Sequence, residues 1–340
     1  MSNLYGRSVI KEADFTTDEW LSLITLAHQV KTERIHGRER PRLTGKVIAL
    51  IFEKTSTRTR TAFEVAAFHQ GAHVTMLDPS SSQLGHKESI ADTAQVLSRF
   101  YDAIEYRGGV HRELETLAAY AHVPVYNGLT NDWHPTQMLA DALTIREHLT
   151  SDFTKVTHAY IGDARFNTGR SILVSSAMLG MDVRIIAPEA YQPDLTAQKI
   201  AADFAEHTGA RITITDDINA VRGADVISTD VWLSMGESHS AWAERIEALS
   251  PYQVNASLMA RTDNPRTIFM HCLPAFHDLN TSVGRTIHAA TGRSELEVTD
   301  EVFSSPASVV FDQAENRLHT IKAILIATLC DDLNIDASEV

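Results

Sequence analysis

Along this 340-residue chain, short apolar runs alternate with longer segments whose apolar residues recur at helical spacing. Runs of this length suit strands buried on both faces. A strand–helix–strand order makes neighbouring strands parallel with crossover helices, so the pattern predicts an α/β fold. In the first half the candidate strands are 46–52 (KVIALIF), 72–77 (AHVTML), 102–107 (DAIEYR) and 123–129 (VPVYNGL), with helices from Thr59 to Gln70, Glu88 to Phe100 and His111 to Ala121. A second series follows at 156–163 (VTHAYIGD), 182–188 (DVRIIAP), 211–217 (RITITDD), 224–232 (ADVISTDVW) and 267–274 (TIFMHCLP). Two α/β domains are therefore expected. A helix from Pro135 to Leu149 opens with proline in its first turn, where proline is favoured, and the polar HLTSD at 148–152 reads as a hinge. From Pro306 to Cys330, Ala314, Leu318, Ile321, Leu325 and Thr328/Leu329 recur at spacings of four and three, which predicts an amphipathic helix with one apolar stripe. The segment Met235 to Trp242 (MGESHSAW) reads as an exposed polar loop.

Charge narrows the function classes. A formal net charge of −14 argues against nucleic-acid or anionic-membrane binding, because both need an extended basic face, so any anion site must be local. Cys272 and Cys330 are the only cysteines and lack metal-ligand spacing, which points to neither a disulfide framework nor structural zinc and fits a reducing compartment. With no apolar signal core and no membrane-length apolar run, the expectation is a cytoplasmic protein.

Ligands of open parallel sheets collect at the carboxyl ends of strands. After the first strand stand Ser56, Thr57, Arg58, Thr59 and Arg60, entering a helix whose apolar positions begin near Ala62 and Phe63. Unpaired amides and the dipole at a helix N-terminus favour an anion, and an arginine fork matches phosphate oxygens. The stretch therefore reads as a phosphate cradle, or more simply as a Ser/Thr helix cap with surface arginines. It is neither a GxxxxGK[ST] loop nor a GxGxxG turn. Later strand ends add Arg107, His134, Gln137, Asn167, Asp230 and Cys272, and six such groups across both halves favour one site formed by two domains.

STRTR at 56–60, HPTQ at 134–137 and HCLP at 271–274 together resemble the carbamoyltransferases, and DVWLSMGE at 230–237 resembles their ornithine branch. The resemblance runs from the first strand to the terminal helix. It implies two doubly wound parallel-sheet domains joined by interdomain helices, with the active site in the cleft between them: 1–148 for carbamoyl phosphate, 149–318 for ornithine, and a helix at 319–340 returning to the first domain. By resemblance, Ser56, Thr57, Arg58 and Thr59 bind the phosphate of carbamoyl phosphate. Arg107, His134 and Gln137 surround its carbamoyl group, Arg317 adds a contact, and Gln83 reaches a neighbouring subunit's site. That last match implies a homo-oligomer, a trimer with shared sites or an assembly of trimers. Asn167, Asp230, Ser234 and Met235 would read the α-amino and α-carboxylate groups of L-ornithine, with Cys272 and Leu273 beside the reacting groups. A relative specific for aspartate is expected to carry proline at position 272 and arginine after the LP; this chain has Cys272 and Ala275.

The implied reaction is direct carbamoyl transfer to the ornithine δ-amine, giving citrulline and phosphate, or its reverse. No metal or organic cofactor is needed, because the leaving phosphate can take the amine proton. The alternatives are a carbamoyltransferase for putrescine, which would not need the reader at 230–235, or for N-acylated ornithine, and a non-catalytic phosphate-binding protein. Phe166 departs from the resemblance, since many relatives carry a second polar residue there.

Overall fold

A computed structural model of the chain describes residues 4–78, 88–232 and 240–331. The chain divides into two compact units, Met1–Leu143 with Glu315–Val340, and Thr144–Ala314.

The first unit opens with α1 (Thr17–Ile35), started by a reciprocal capping box between Thr16 and Glu19. There follow β1 (Val47–Phe52), α2 (Thr57–His69), β2 (His73–Leu77), α3 (Ile90–Leu97), β3 (Ala103–Arg107), α4 (His111–Tyr120), β4 (Val125–Leu129) and α5 (Pro135–His148), whose last residues, from Thr144, belong to the second unit. The sheet is parallel, in the order β2-β1-β3-β4. VIALIF of β1 is buried almost throughout, as a central strand covered on both faces must be. From β1 the chain moves to β2 on one side and returns to β3 on the other. The carboxyl ends of β1 and β3 therefore flank a topological switch point, where diverging connections leave a crevice. Helix α3 is shorter than the expected Glu88 to Phe100 span; Ser89 caps its start by accepting from the Asp92 N–H at 3.1 Å, and it ends at Leu97.

The second unit repeats the plan with β5 (Thr157–Ile161), α6 (Asn167–Met178), β6 (Asp182–Ile186), α7 (Leu195–Thr208), β7 (Arg211–Thr215), β8 (Val226–Thr229), α8 (Ser240–Leu249), α9 (Ala256–Arg261), β9 (Ile268–His271), α10 (Ser282–Thr291) and α11 (Asp300–Phe303). Its parallel sheet runs β7-β6-β5-β8-β9, so the switch point lies between β5 and β8. Both units fix the switch strands with the same device. Asp102 before β3 accepts from the Val47 N–H of β1 at 2.9 Å, and Asp225 before β8 accepts from the Thr157 N–H of β5 at 2.9 Å.

Two sequence expectations need correction. Helix α12 (Val310–Leu329) has no single apolar stripe, since every residue from His319 to Leu329 is buried. Partners distant in sequence absorb its polar groups: Lys322 pairs with Glu39 at 2.5 Å, and the Thr328 and Tyr126 hydroxyls meet at 2.7 Å. Nor does the exposed-loop reading hold at its far end, because α8 begins at Ser240 and Trp242 is buried in a cluster with Trp232, Ile246 and Leu249. Residues 233–239 lie outside the described residues.

Candidate active site

In the first unit the candidate residues converge at the carboxyl ends of β1 and β3. Ser56 is the N-cap of α2, its hydroxyl accepting from the Thr59 N–H at 3.2 Å. Thr59, buried in the first turn, receives two arginines on one hydroxyl oxygen: Arg107 Nη1 at 3.1 Å and Arg317 Nη2 at 3.0 Å. A hydroxyl has two lone pairs and one hydrogen, so the Thr59 O–H can act only as a donor. Arg317 also donates to Gln137 Oε1 at 2.7 Å, and Gln137 is anchored in turn on Asp141 at 2.8 Å.

A bulge aims Arg107. Register shifts between Tyr106, opposite Asn127, and Arg107, opposite Leu129, leaving Gly128 as the extra residue, and Arg107 Nη1 donates to the Gly128 carbonyl at 3.1 Å. A Cβ at Gly128 would lie 1.8 Å from Glu105 Oε1, so any side chain there would force the Glu105 carboxyl to move. His134 is buried beside the same cations. Burial, reinforced by Arg317, Arg107 and Arg58, holds its imidazole well below the usual range, so it is neutral at physiological pH. Thr57 is exposed and Arg58 half-buried on the first turn of α2. Arg60 turns away to pair with Glu64 at 3.0 Å, so the bland surface reading holds for that arginine.

The sequence reading missed Glu105. It is fully buried on β3, neither carboxyl oxygen has a hydrogen-bond partner, and burial holds it well above the usual carboxylate range despite Arg107 and Arg317 nearby. Burial thus favours the protonated, uncharged form of this acid beside the two arginines. Its signal was available: an acidic residue within a run otherwise fit for burial on both faces.

In the second unit the residues gather at the carboxyl ends of β5, β8 and β9. Asn167 opens α6, and Asp230 follows β8. Asp230 Oδ1 accepts from the Val231 N–H at 2.8 Å and from the Cys272 thiol at 3.2 Å. Its Oδ2 accepts from the Thr168 hydroxyl at 2.6 Å, a partner the sequence reading also missed. Leu273 adopts a left-handed φ of 61°, a conformation that costs a residue with a Cβ about 1–3 kcal/mol and persists only when the surroundings impose it. Here they do. The Leu273 N–H donates to His271 Nδ1 at 2.9 Å, the His271 N–H to Gln313 at 2.9 Å, and the Phe276 N–H to buried Glu297 at 2.6 Å. Phe166 packs instead of hydrogen bonding, with the Arg165 guanidinium between it and Tyr191 at 5.3 and 4.2 Å from the two ring centres. Gln83, Ser234 and Met235 lie outside the described residues.

Among the described residues, two groups have metal-ligand proximity: Asp230, His271 and Cys272, and the more exposed His277, Asp278 and Asp300. In the first, His271 Nδ1 is already engaged by the Leu273 N–H. Chemically, the first unit's cluster of guanidinium groups, hydroxyl donor, neutral imidazole and helix N-terminus suits a phosphorylated carbonyl compound. The second unit's carboxylate and thiol suit an amine.

Two family profiles match the chain: "Aspartate/ornithine carbamoyltransferase, carbamoyl-P binding domain" over residues 7–147 and "Aspartate/ornithine carbamoyltransferase, Asp/Orn binding domain" over residues 154–328. The chain belongs to the aspartate/ornithine carbamoyltransferase family. Among curated members of that family it is 55% identical over 331 residues to "Ornithine carbamoyltransferase, catabolic" of Rhizobium meliloti (strain 1021), covering 97% of this chain and 99% of the relative. It is equally 55% identical, over 335 residues and with the same coverage, to the protein of that name from Pseudomonas putida. Among solved carbamoyltransferase structures, the ornithine carbamoyltransferase from Pyrococcus furiosus superposes with a TM-score of 0.89 at 41% identity, covering 98% of this chain and all of that one. The mitochondrial enzyme from Coccidioides immitis gives 0.82 at 31%, covering 96% and 98%.

Proposed function

We propose that this chain is an ornithine carbamoyltransferase, moving the carbamoyl group of carbamoyl phosphate to the δ-amine of L-ornithine to give L-citrulline and phosphate, and catalysing the reverse phosphorolysis at the same site. The observation that carries this is the convergence of Arg107 and Arg317 on the Thr59 hydroxyl beside a neutral His134. That array suits a phosphorylated carbonyl better than a bare phosphate, because it pairs fixed cations with uncharged donors.

In this reading Ser56, Thr57, Arg58 and Thr59 hold the phosphate with the amides of α2. Arg107, His134 and Thr59 act at the carbonyl oxygen, and Gln137 and Arg317 brace them. The neutral δ-amine attacks the carbonyl carbon, negative charge builds on its oxygen, and the pre-aimed donors stabilise it without reorganising. The C–N bond forms, the C–O bond to phosphate breaks, and the departing phosphate takes the amine proton. Asn167, Asp230, Ser234 and Met235 hold the α-groups of ornithine, while Cys272 and Leu273 border the reacting amine. Cys272 is a positioning thiol, in hydrogen-bond contact with Asp230. The names of the 55% identical relatives favour use in the catabolic direction. The reading also includes a homotrimer with Gln83 acting in the neighbouring subunit, and a cytoplasmic location, which suits two cysteines that form no disulfide.

The test is citrulline formation with ornithine, putrescine, N-acetylornithine and aspartate offered in parallel. Strong turnover with ornithine alone supports the proposal. Turnover with another amine keeps the carbamoyl-phosphate half and overturns the ornithine half, whereas no turnover with any leaves a binding protein.

A further inference from the structure

Asp230 is the charged group of the amine side, and what holds it lies outside the motifs that marked the site. Among the described residues three donors reach its carboxylate: the Val231 N–H and the Cys272 thiol on Oδ1, and the Thr168 hydroxyl on Oδ2 at 2.6 Å. The thiol is a weak donor and the Val231 amide is local, so Thr168 supplies the one strong bond from another element. Thr168 is itself buried, in the first turn of α6. Its oxygen also lies 3.0 Å from Asn167 Oδ1, within reach of the same hydroxyl hydrogen.

We propose that Thr168 is a positioning residue for the amino-acid substrate, its single hydroxyl hydrogen tying Asp230 to Asn167 and fixing the angle at which Asp230 presents its charge to the substrate ammonium. The inference rests on the ornithine reading above. A carboxylate can rotate about its Cβ–Cγ bond, and Oδ1 alone does not prevent that. The bond to Oδ2 from α6 holds the carboxylate plane at one angle about that bond. When an ammonium group engages Asp230, the hydroxyl can swing to Asn167 Oδ1, so the two groups that read the α-substituents respond together.

The experiment compares Thr168→Val, which keeps the shape and removes the hydroxyl, with Thr168→Ser, which keeps the hydroxyl. KM is measured for each substrate, together with equilibrium binding of L-norvaline, the ornithine skeleton without its δ-amine, in the presence of carbamoyl phosphate. Thr168→Val should raise KM for ornithine and the norvaline Kd by about tenfold or more, as loss of a hydrogen bond to a charged group does. KM for carbamoyl phosphate should stay within about twofold, and Thr168→Ser should recover most of the loss. Unchanged norvaline binding in Thr168→Val overturns the inference, as does a loss that serine fails to restore or an equal rise in both KM values. If the wild-type enzyme itself fails to carbamoylate ornithine, the underlying reading fails instead, and the two results are told apart by that control.

Discussion

Removing the Arg107 guanidinium takes away a donor that reaches both Thr59 and the Gly128 carbonyl. Because such donors act chiefly in the transition state, Arg107→Ala should lower kcat by about a hundred- to a thousandfold with little change in thermal stability. Near wild-type turnover would remove Arg107 from the oxyanion role. Glu105 poses the opposite case, a buried acid whose proton matters more than its charge. Its pKa is raised on folding, so the folded chain keeps a proton that the unfolded chain releases. Stability is therefore lost as pH rises above the ordinary carboxylate value toward the folded one. Glu105→Gln cannot titrate, so its stability relative to wild type should climb by about 1.4 kcal/mol per pH unit above roughly pH 4.5. KM for carbamoyl phosphate should be preserved. Urea unfolding at several pH values checks this, and a pH-independent difference would show that Glu105 is ionised in the folded protein.

At the scale of elements, the bulge between β3 and β4 links sheet geometry to chemistry. Gly128 gives the Glu105 carboxyl room and offers its carbonyl to Arg107, so a methyl group there meets Glu105 Oε1 head-on. Gly128→Ala should destabilise the protein by about 1–3 kcal/mol, the usual cost of overpacking. It should also raise KM for carbamoyl phosphate, because Arg107 shifts with the bulge. Denaturant midpoints and initial rates measure the two effects, and a variant matching wild type in both would mean the strand end adapts freely. The ends of these elements explain what the sequence showed and hid. Ser56 and the first turn of α2 were legible because a cap is a local signal. The split between Arg58 and Arg60 was not, because it depends on which face of the turn meets Glu64.

Across the whole molecule, buried neutral histidines should make the fold acid-labile. His158 lies between Ser176 and Ser228, and burial lowers its pKa to about 4; His319 on α12 falls to about 3. The folded state binds fewer protons than the unfolded one below about pH 6.5, so stability is intact above that value and lost as pH falls toward 4. His158 alone accounts for about 3 kcal/mol of that loss. His158→Gln should flatten the acid limb of a stability–pH curve, and an unchanged limb would assign the acid sensitivity elsewhere.

The α/β class, the strands of both parallel sheets and the polar residues at their carboxyl ends are legible in the chain's linear pattern, because alternation, caps and strand ends are short-range features that burial enforces locally. The folded chain is what shows that Arg317, on the last helix, meets Thr59 and Gln137. It also shows that burial favours a protonated Glu105, that Thr168 holds Asp230, and that α12 is buried on every side from His319 to Leu329. Each of those depends on what lies opposite a residue in space, and a linear pattern carries periodicity but not the identity of a partner dozens or hundreds of residues away.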